Sequence, residues 1–567
     1  MDLRHLVAQP TEAEVAAVDR LLEAEGFVNV EADDTAGRTG TGGRTASARR
    51  DLLLPALHSL NDAIGWISEG GIGYICQRLS VPPAEAFGVA GFYDQFTFEE
   101  RREVVRVCDD IVCGPYADQL IAGLDGIEVE RSPCLGRCEQ APAAFVHQPG
   151  FRRTEVAPAT PAAVLESEAT STSTHTGVIG DTVLLKRVGA VDPESLQSYR
   201  DAGGYRALAR AIDEGADAVL DRIQTARLRG RGGASFPAAA KWQAVAEAPG
   251  DKIVVCNADE SEPGTFKDRV LMEEDPFAVV EGMTLAAYVT GAERGVLYVR
   301  GEYPLAERRM VGAIAAAREA GLLGSDVAAA GFAFDVEVRR GAGAYICGEE
   351  TSLFNSVEGL RGEPRAKPPF PTQEGLFGLP TVVNNVETLV AAVAITMGED
   401  ADTKLFPISG AVAEPGLYEA PLGVTVAALI EAAGGATGDI QAVLIGGAAG
   451  KFLRPDALEA TLDHGTEPPL GSGAIVVFNT STDMEEIVDR IARFFRDESC
   501  GKCVPCRVGT IRQVEALERL VVGGDERETL DDLAAVLRDA SICGLGQLAA
   551  EAVQSALDLE LIGGGDA

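Results

Sequence analysis

The sequence predicts an α/β multidomain protein, and three observations carry that reading. Hydrophobic periodicity along the 567 residues runs helical, then alternating helix and buried strand, then helical again. Glycine-rich and acidic segments follow short apolar strands in the middle of the chain, where open α/β sheets build their ligand crevices. Two groups of four cysteines flank that middle part. With 46% apolar residues the chain can bury several separate cores.

In chain order, residues 1–50 open with an amphipathic helix in EAEVAAVDRLLEAEGF and continue into TAGRTGTGGRTASARR, a composition expected of a flexible linker. Residues 51–155 begin with helical periodicity (LLLPALHSLNDAIGWI, GIGYICQRLS, PAEAFGVAGFY), a small helical bundle with Cys76 on its apolar face. A strand–loop–helix–strand–loop unit follows, short enough for a reduced thioredoxin-like fold. Residues 156–181, rich in Ala, Ser and Thr, read as an interdomain linker. Residues 182–400 alternate helices with buried strands such as KIVVCN and GVLYVRG, an α/β domain. Residues 401–480 give short strands around one helix, a β-grasp-like module, and residues 481–567 are helical. No period of 20 to 50 residues recurs, which excludes a solenoid.

The C-terminal cysteines are Cys500, Cys503 and Cys506 in DESCGKCVPCRVGT and the distant Cys543 in SICGLGQ. Two consecutive x₂ spacings let one tight loop present three thiolates, with the fourth supplied from elsewhere, and this spacing favours a [4Fe–4S] cluster. A four-thiolate zinc site is the alternative, although such sites usually pair two separate x₂ couples. In the other group Cys108 and Cys113 (VCDDIVC) and Cys134 and Cys138 (PCLGRC) each follow a β-like run, so that two facing loops can hold one [2Fe–2S] cluster. Paired disulfides are the alternative; the first residues show no apolar signal segment that would direct the chain to an oxidising compartment.

A formal net charge of −38 repels a phosphate backbone over most of the surface and argues against nucleic acid as a partner. No uncharged apolar run approaches the ~20 residues that span a bilayer, so direct membrane insertion is not expected. In the α/β domain three segments carry chemistry. LRGRGGASFPAAAKW (Leu228 to Trp242) sets glycines beside Arg229 and Arg231, an arrangement that lets backbone N–H groups approach phosphate closely. VVCNADESEPGTFKDR places Asn257, Asp259 and Glu260 directly after a strand. GAGAYICGEETSLFNSVEG adds Glu349 and Glu350 next to close-approach glycines. So many carboxylates repel phosphate but suit ribose hydroxyls, a nicotinamide amide or flavin ring nitrogens.

Taken together, GRGG, CNADESEPGTFKDR, GAGAYICGEE, KPPFP, NNVET and SCGKCVPCR resemble the NADH-binding flavoprotein subunit of respiratory complex I. They equally resemble its relatives, the diaphorase subunits of NAD-reducing hydrogenases and of NAD-dependent molybdenum or tungsten formate dehydrogenases. The stretch from about Leu52 to Val146, with GVAGFYDQF and PCLGRCEQAP, is similar to the small thioredoxin-like [2Fe–2S] subunit of the same systems, so the chain resembles a fusion of two usually separate subunits. The resemblance implies FMN, NAD(H), [4Fe–4S] and [2Fe–2S] as cofactors, and makes the β-grasp-like module SLBB-type. It implies that FMN contacts Gly230, Arg231, Asn257, Asp259, Glu260, Ser261, Tyr345, Gly348, Glu349, Asn384 and Asn385, and Gly232 is counted among the cofactor-binding residues. It implies that the nucleotide uses Gly233, Phe236, Lys241, Glu350, Lys367 and Phe370. Glu260 and Glu350 are expected to orient and tune nicotinamide and flavin, and the eight cysteines above to ligate the clusters.

Two residues depart from the family pattern, Ser235 where relatives commonly have Gly and Ala244 where some have an aromatic, and the stretch between Cys113 and Cys134 is shorter than usual. Cys256 and Cys347 match no cluster and read as buried fillers. The expected activity is electron transfer between NAD(H), FMN and clusters in a cytoplasmic complex with a larger redox subunit. Both N-terminal cysteine pairs and SICGLGQ tilt that partner toward a molybdenum or tungsten formate dehydrogenase subunit, with hydrogenase and complex I subunits as alternatives. A non-catalytic iron–sulfur docking scaffold is the competing reading from another class. The α/β domain is also expected to work alone, in a chain beginning near Thr182.

Overall fold

A computed structural model describes residues 8–27, 49–101, 103–150, 152–167, 169–170 and 173–563. The glycine- and threonine-rich stretch expected as the first linker lies, up to residue 48, outside the described residues. The opening helix, Glu12–Ala24, starts at a capping box in which the Thr11 hydroxyl accepts from the Glu14 N–H and the Glu14 carboxylate accepts from the Thr11 N–H. Three further helices, Leu53–Ile64, Glu69–Leu79 and Pro83–Ala90, pack their Leu, Ile and Val faces together with Cys76 in the core.

The unit that follows is a four-stranded sheet in which Val104–Cys108 runs parallel to Val129–Ser132 and antiparallel to Ala144–Gln148, with Arg152–Val156 at the far edge. The helix Gly114–Ala122 makes the parallel crossover, the thioredoxin-like arrangement expected from the sequence.

The α/β domain is a four-stranded, wholly parallel sheet ordered Asp335–Arg340, Arg294–Val299, Ile253–Ala258, Thr381–Asn385. Ile253, Val254, Val255 and Cys256 are fully buried, because helices cover both faces of a parallel sheet. The helices Pro276–Thr290 and Val386–Met397 are buried almost all round. Strand order reverses at Ile253–Ala258: the chain leaves it in one direction and returns on its other side as Thr381–Asn385. A crevice therefore opens beyond the carboxyl ends of these two strands.

The β-grasp-like module is a six-stranded sheet around the helix Val426–Ala432, and its edge corrects the sequence reading. Thr176–Val178, inside the stretch expected to be a linker, pairs in parallel with Leu417–Glu419. Earlier in the same stretch, Val156, Ala159, Ala163 and Val164 are core residues of the thioredoxin-like unit, the last two from the short helix Pro161–Leu165. Ala and Thr fit a tight packed seam as readily as a loose tether, so composition alone misread this segment. The C-terminal part consists of the helices Met484–Asp497, Val504–Val521, Arg527–Ala540, Gly544–Leu548 and Glu551–Asp558. Among the described residues no helix is long and apolar enough to cross a membrane.

Candidate functional site

At the carboxyl ends of Ile253–Ala258 and Thr381–Asn385 lies a cavity of about 260 Å³. Gly232, Asn257, Asp259, Glu260, Ser261, Tyr345, Gly348, Glu349 and Asn385 line it, nine of the expected cofactor-binding residues drawn from four separate segments. Asn257 donates to the Gly348 carbonyl at 2.8 Å and so ties the central strand to the turn before the helix Glu350–Val357. Glu349 caps that helix, its carboxylate accepting from the N–H groups of Thr351 and Ser352.

The electrostatics suit a polar, largely neutral guest. Burial pushes the Asp259 carboxyl up to about 7, and Asp259 Oδ2 is buried with no hydrogen-bond partner. Glu262, on the same wall, is also raised to about 7 by burial; it accepts from the Tyr345 hydroxyl at 2.5 Å and from the Ala449 N–H. Lys267 and Asp268 supply a buried ion pair on the wall, 2.7 Å apart, and Lys267 also faces Glu387. An orphaned carboxylate oxygen, amide groups and one buried ammonium match the donors and acceptors of a flavin ring and its ribityl chain. The residues present fit FMN.

Glu260 is a correction. It lines the cavity, but one carboxylate oxygen accepts from the Asp268 N–H and the other from the Arg269 N–H, both at 2.9 Å. These are orphan donors at the start of the helix Lys267–Glu274, so the side chain is a helix cap and not a free group aimed at a nicotinamide. Arg231 and Asn384 do not line the cavity. Arg231 is buried, donating from its backbone to Thr388 and from its side chain to the Ala401 carbonyl, while Asn384 accepts from the Trp242 indole at 2.8 Å. Gly230 closes a turn onto the Phe236 carbonyl, and Gly233 takes a φ of +111° that only glycine adopts freely.

Four of the expected nucleotide residues, Lys367, Glu350, Lys241 and Phe236, form a chain of contacts that starts at Glu349 on the cavity wall. Lys367 bridges Glu349 and Glu350 at 2.9 and 2.8 Å, Lys241 faces Glu350 at 3.7 Å, and the Lys241 ammonium lies 5.8 Å from the centre of the Phe236 ring. Phe236 is 54% exposed and Phe370 53%, two large apolar faces left uncovered.

Both cysteine groups assemble. Sγ of Cys134 and Sγ of Cys138 are 3.4 Å apart, near the about 3.7 Å that two sulfurs show on one tetrahedral metal with bonds of about 2.3 Å. Cys108 contacts both Cys113 and Cys134. Cys503 precedes the first turn of Val504–Val521, Cys506 lies in that turn, and Cys543 precedes Gly544–Leu548, so two helix N-termini face the site with Cys500 between. Among the described residues no three His, Cys, Asp or Glu donors converge on a point that one ion can occupy. Cys256 and Cys347 are buried away from both groups, and burial pushes their thiols up.

The cavity adjoins the C-terminal group directly and is linked to the N-terminal group through one side chain. Its wall includes Gly544 and Leu545, the two residues after Cys543. On the other side Arg300, fully enclosed, donates at 2.7 Å both to the Glu260 carbonyl and to the Cys134 carbonyl. Sequence reasoning missed Arg300, Glu262 and Lys267. Arg300 stands directly after the strand Arg294–Val299, so the rule that singled out Asn257 points to it as well.

Similarity to known proteins follows these parts. The family description "Nuo51 FMN-binding domain" matches residues 223–394, "NADH-ubiquinone oxidoreductase-F iron-sulfur binding region" residues 486–559, "Thioredoxin-like [2Fe-2S] ferredoxin" residues 43–125, and "SLBB domain" residues 405–447. The NAD-reducing hydrogenase HoxS subunit alpha of Cupriavidus necator is 37% identical over 553 residues, 90% of either chain. The chain belongs to the diaphorase-type NADH-binding flavoprotein subunits. A subunit of the NADH-quinone oxidoreductase of Rhizobium meliloti is 44% identical over 66% of this chain and 94% of its own length. A crystal structure of an NAD+-reducing [NiFe]-hydrogenase in the H2-reduced state superposes with a TM-score of 0.78 at 33% identity, covering 91% of this chain and 92% of that one. The diaphorase subunit is thus an oxidoreductase with FMN-binding, [4Fe–4S] and [2Fe–2S] domains, in a family that binds NADH.

Proposed function

We propose that this diaphorase subunit passes electrons between NAD(H) and a larger redox subunit in a cytoplasmic complex, with FMN held in the cavity beside Asn257 and Asp259. The observation that carries the reading is the position of that cavity, which shares a wall with the Cys543 loop and is joined through Arg300 to the Cys134 loop. Bound FMN supplies the exchange between a two-electron hydride and one-electron clusters. The chain's own residues position the reactants. Asn257 and Glu349 fix the turn and helix that shape the flavin wall, and Asp259 offers its unpartnered oxygen. Phe236 and Phe370 present faces for an adenine to stack on, while Lys241 and Lys367 supply charge for the dinucleotide phosphates and Glu350 is the counter-charge shared by the two ammoniums. Cys500, Cys503, Cys506 and Cys543 hold the [4Fe–4S] cluster, and Cys108, Cys113, Cys134 and Cys138 the [2Fe–2S] cluster.

The partner reading is a molybdenum or tungsten formate dehydrogenase subunit, supported by the two intact N-terminal cysteine pairs, which assemble, and by SICGLGQ around Cys543. Exposed Val504, Val508 and Ile511, one face of the helix after Cys503, with Ile542 beside Cys543, supply an apolar surface at the [4Fe–4S] end for that subunit. End-to-end similarity to the HoxS alpha subunit favours a hydrogenase partner as the second reading. Isolation of the native complex tests both. Formate-dependent NAD⁺ reduction with molybdenum or tungsten supports the first, and nickel with hydrogen-dependent NAD⁺ reduction the second. Clusters without flavin in the purified chain would reduce it to a docking scaffold.

A further inference from the structure

The glycine-rich loop before Phe236 does not stand alone. Ser235 sits at φ +50°, a left-handed conformation that glycine takes freely and serine takes at a cost. Two contacts hold it there. Arg229 donates to the Ser235 carbonyl at 3.0 Å, and the Ser235 hydroxyl lies 3.1 Å from His464 Nδ1. His464 belongs to the β-grasp-like module, in a turn fixed by bonds within Asp463–Thr466. On the same side the glycine-rich loop passes close to the module again, where a Cβ on Gly233 would lie 3.9 Å from the Gly471 backbone. Phe236 is the next residue after Ser235, and its ring, 54% exposed, extends over the Lys241 ammonium. The β-grasp-like module thus reaches a loop that carries an uncovered aromatic face toward the nucleotide residues.

We propose that His464 is a positioning residue for the dinucleotide: by holding the Ser235 hydroxyl it fixes the loop that presents Phe236, which makes the β-grasp-like module part of the NAD(H) site. The inference rests on the reading of Phe236 as a nucleotide face. It assigns to Ser235 a purpose that its backbone angle alone does not, since a glycine there would adopt the same turn but leave His464 without a partner on the loop.

Steady-state NADH:ferricyanide kinetics on the purified flavin-loaded protein test it. His464→Ala raises the KM for NADH about three- to tenfold, the range set by one hydrogen bond's net contribution, with kcat and the flavin-to-protein ratio little changed. His464→Asn, whose amide falls near the position of Nδ1, restores the KM. In a Ser235→Gly background His464→Ala adds nothing further, because the partner is already gone. Phe236→Ala is measured in parallel. If it raises the KM while His464→Ala does not, the inference fails and the nucleotide reading stands. If Phe236→Ala leaves the KM unchanged, the nucleotide reading fails and takes the inference with it. Loss of flavin in His464→Ala, or additive effects of the two loop substitutions, overturns the positioning role in favour of a general packing one.

Discussion

Arg269→Met isolates what joins the [2Fe–2S] module to the flavin domain. The Arg269 guanidinium is wholly enclosed: Nε donates to the Gly136 carbonyl at 3.0 Å, Nη1 to Glu273 at 2.8 Å, and Nη2 to Glu139 and to the Thr174 hydroxyl. Methionine fills much of the space and removes the charge. Glu273 keeps Arg137 at 2.9 Å, but Glu139 keeps only the Thr174 hydroxyl on one oxygen, and its other oxygen already lacks a partner. Removing one member of a buried pair costs about 3–5 kcal/mol, chiefly for the charge left behind. At about 1.4 kcal/mol per decade, docking of the module weakens by about two to three and a half orders of magnitude. Adding Glu139→Gln removes the stranded charge, so the double variant regains part of the loss, with a coupling of about 0.5–3 kcal/mol. The assay is denaturant unfolding followed by the visible circular dichroism of the [2Fe–2S] cluster, with limited proteolysis between the modules as a second readout. A wild-type midpoint and protease resistance in Arg269→Met, or a double variant no better than the single one, would refute the reasoning.

Three further outcomes are expected. Cys503→Ser loses most of the [4Fe–4S] paramagnetic resonance signal while keeping FMN, because the flavin cavity is lined mainly by residues of the α/β domain; an unchanged signal removes Cys503 from the ligand set. Glu350→Gln leaves Lys241 and Lys367 without one counter-charge and shifts KM or kcat for NADH:ferricyanide reduction by at least about tenfold at constant flavin content, and wild-type kinetics would dismiss the role. Asp259 is held up to about 7 by burial, so its contribution to the stability of the flavin-free chain is full below about pH 4 and is lost as pH rises to about 7, by up to about 1.4 kcal/mol per pH unit. Asp259→Asn flattens that part of the stability profile, and an unaltered slope in thermal melts between pH 4 and 7 would show that the group does not titrate there.

How much of this was legible in the sequence depended on the kind of signal. Strands such as Ile253–Ala258 announced themselves by continuous apolar residues and by the polar cluster that follows them, and the cysteine spacings located both cluster loops. The purpose of Glu260 was not legible. Its sequence shows a carboxylate after a strand but not that a helix starting at Lys267 turns its N–H groups back onto it. Buried charge was hidden for the same reason. Arg137, Arg269 and Lys404 look like surface residues in an acidic chain, yet each is enclosed by carboxylates that come from other segments. These pairs also change the expectation for a chain beginning near Thr182. Such a chain leaves Arg269 without Glu139 and the Gly136 carbonyl, Arg300 without the Cys134 carbonyl, and Glu273 without Arg137, so the flavin domain cannot shed its neighbour without cost.

The strand Thr176–Val178 has a mechanical consequence. The connection between the thioredoxin-like unit and the rest of the chain is stitched into a sheet edge, and the unit itself is pinned by Arg269 and Arg300. A carrier that must swing between donor and acceptor slows as the solvent thickens, because each turnover waits on a diffusive rotation. Here the spacing of the redox centres is a property of the folded body, and turnover should be indifferent to added glycerol or sucrose at constant temperature once substrate encounter is saturated.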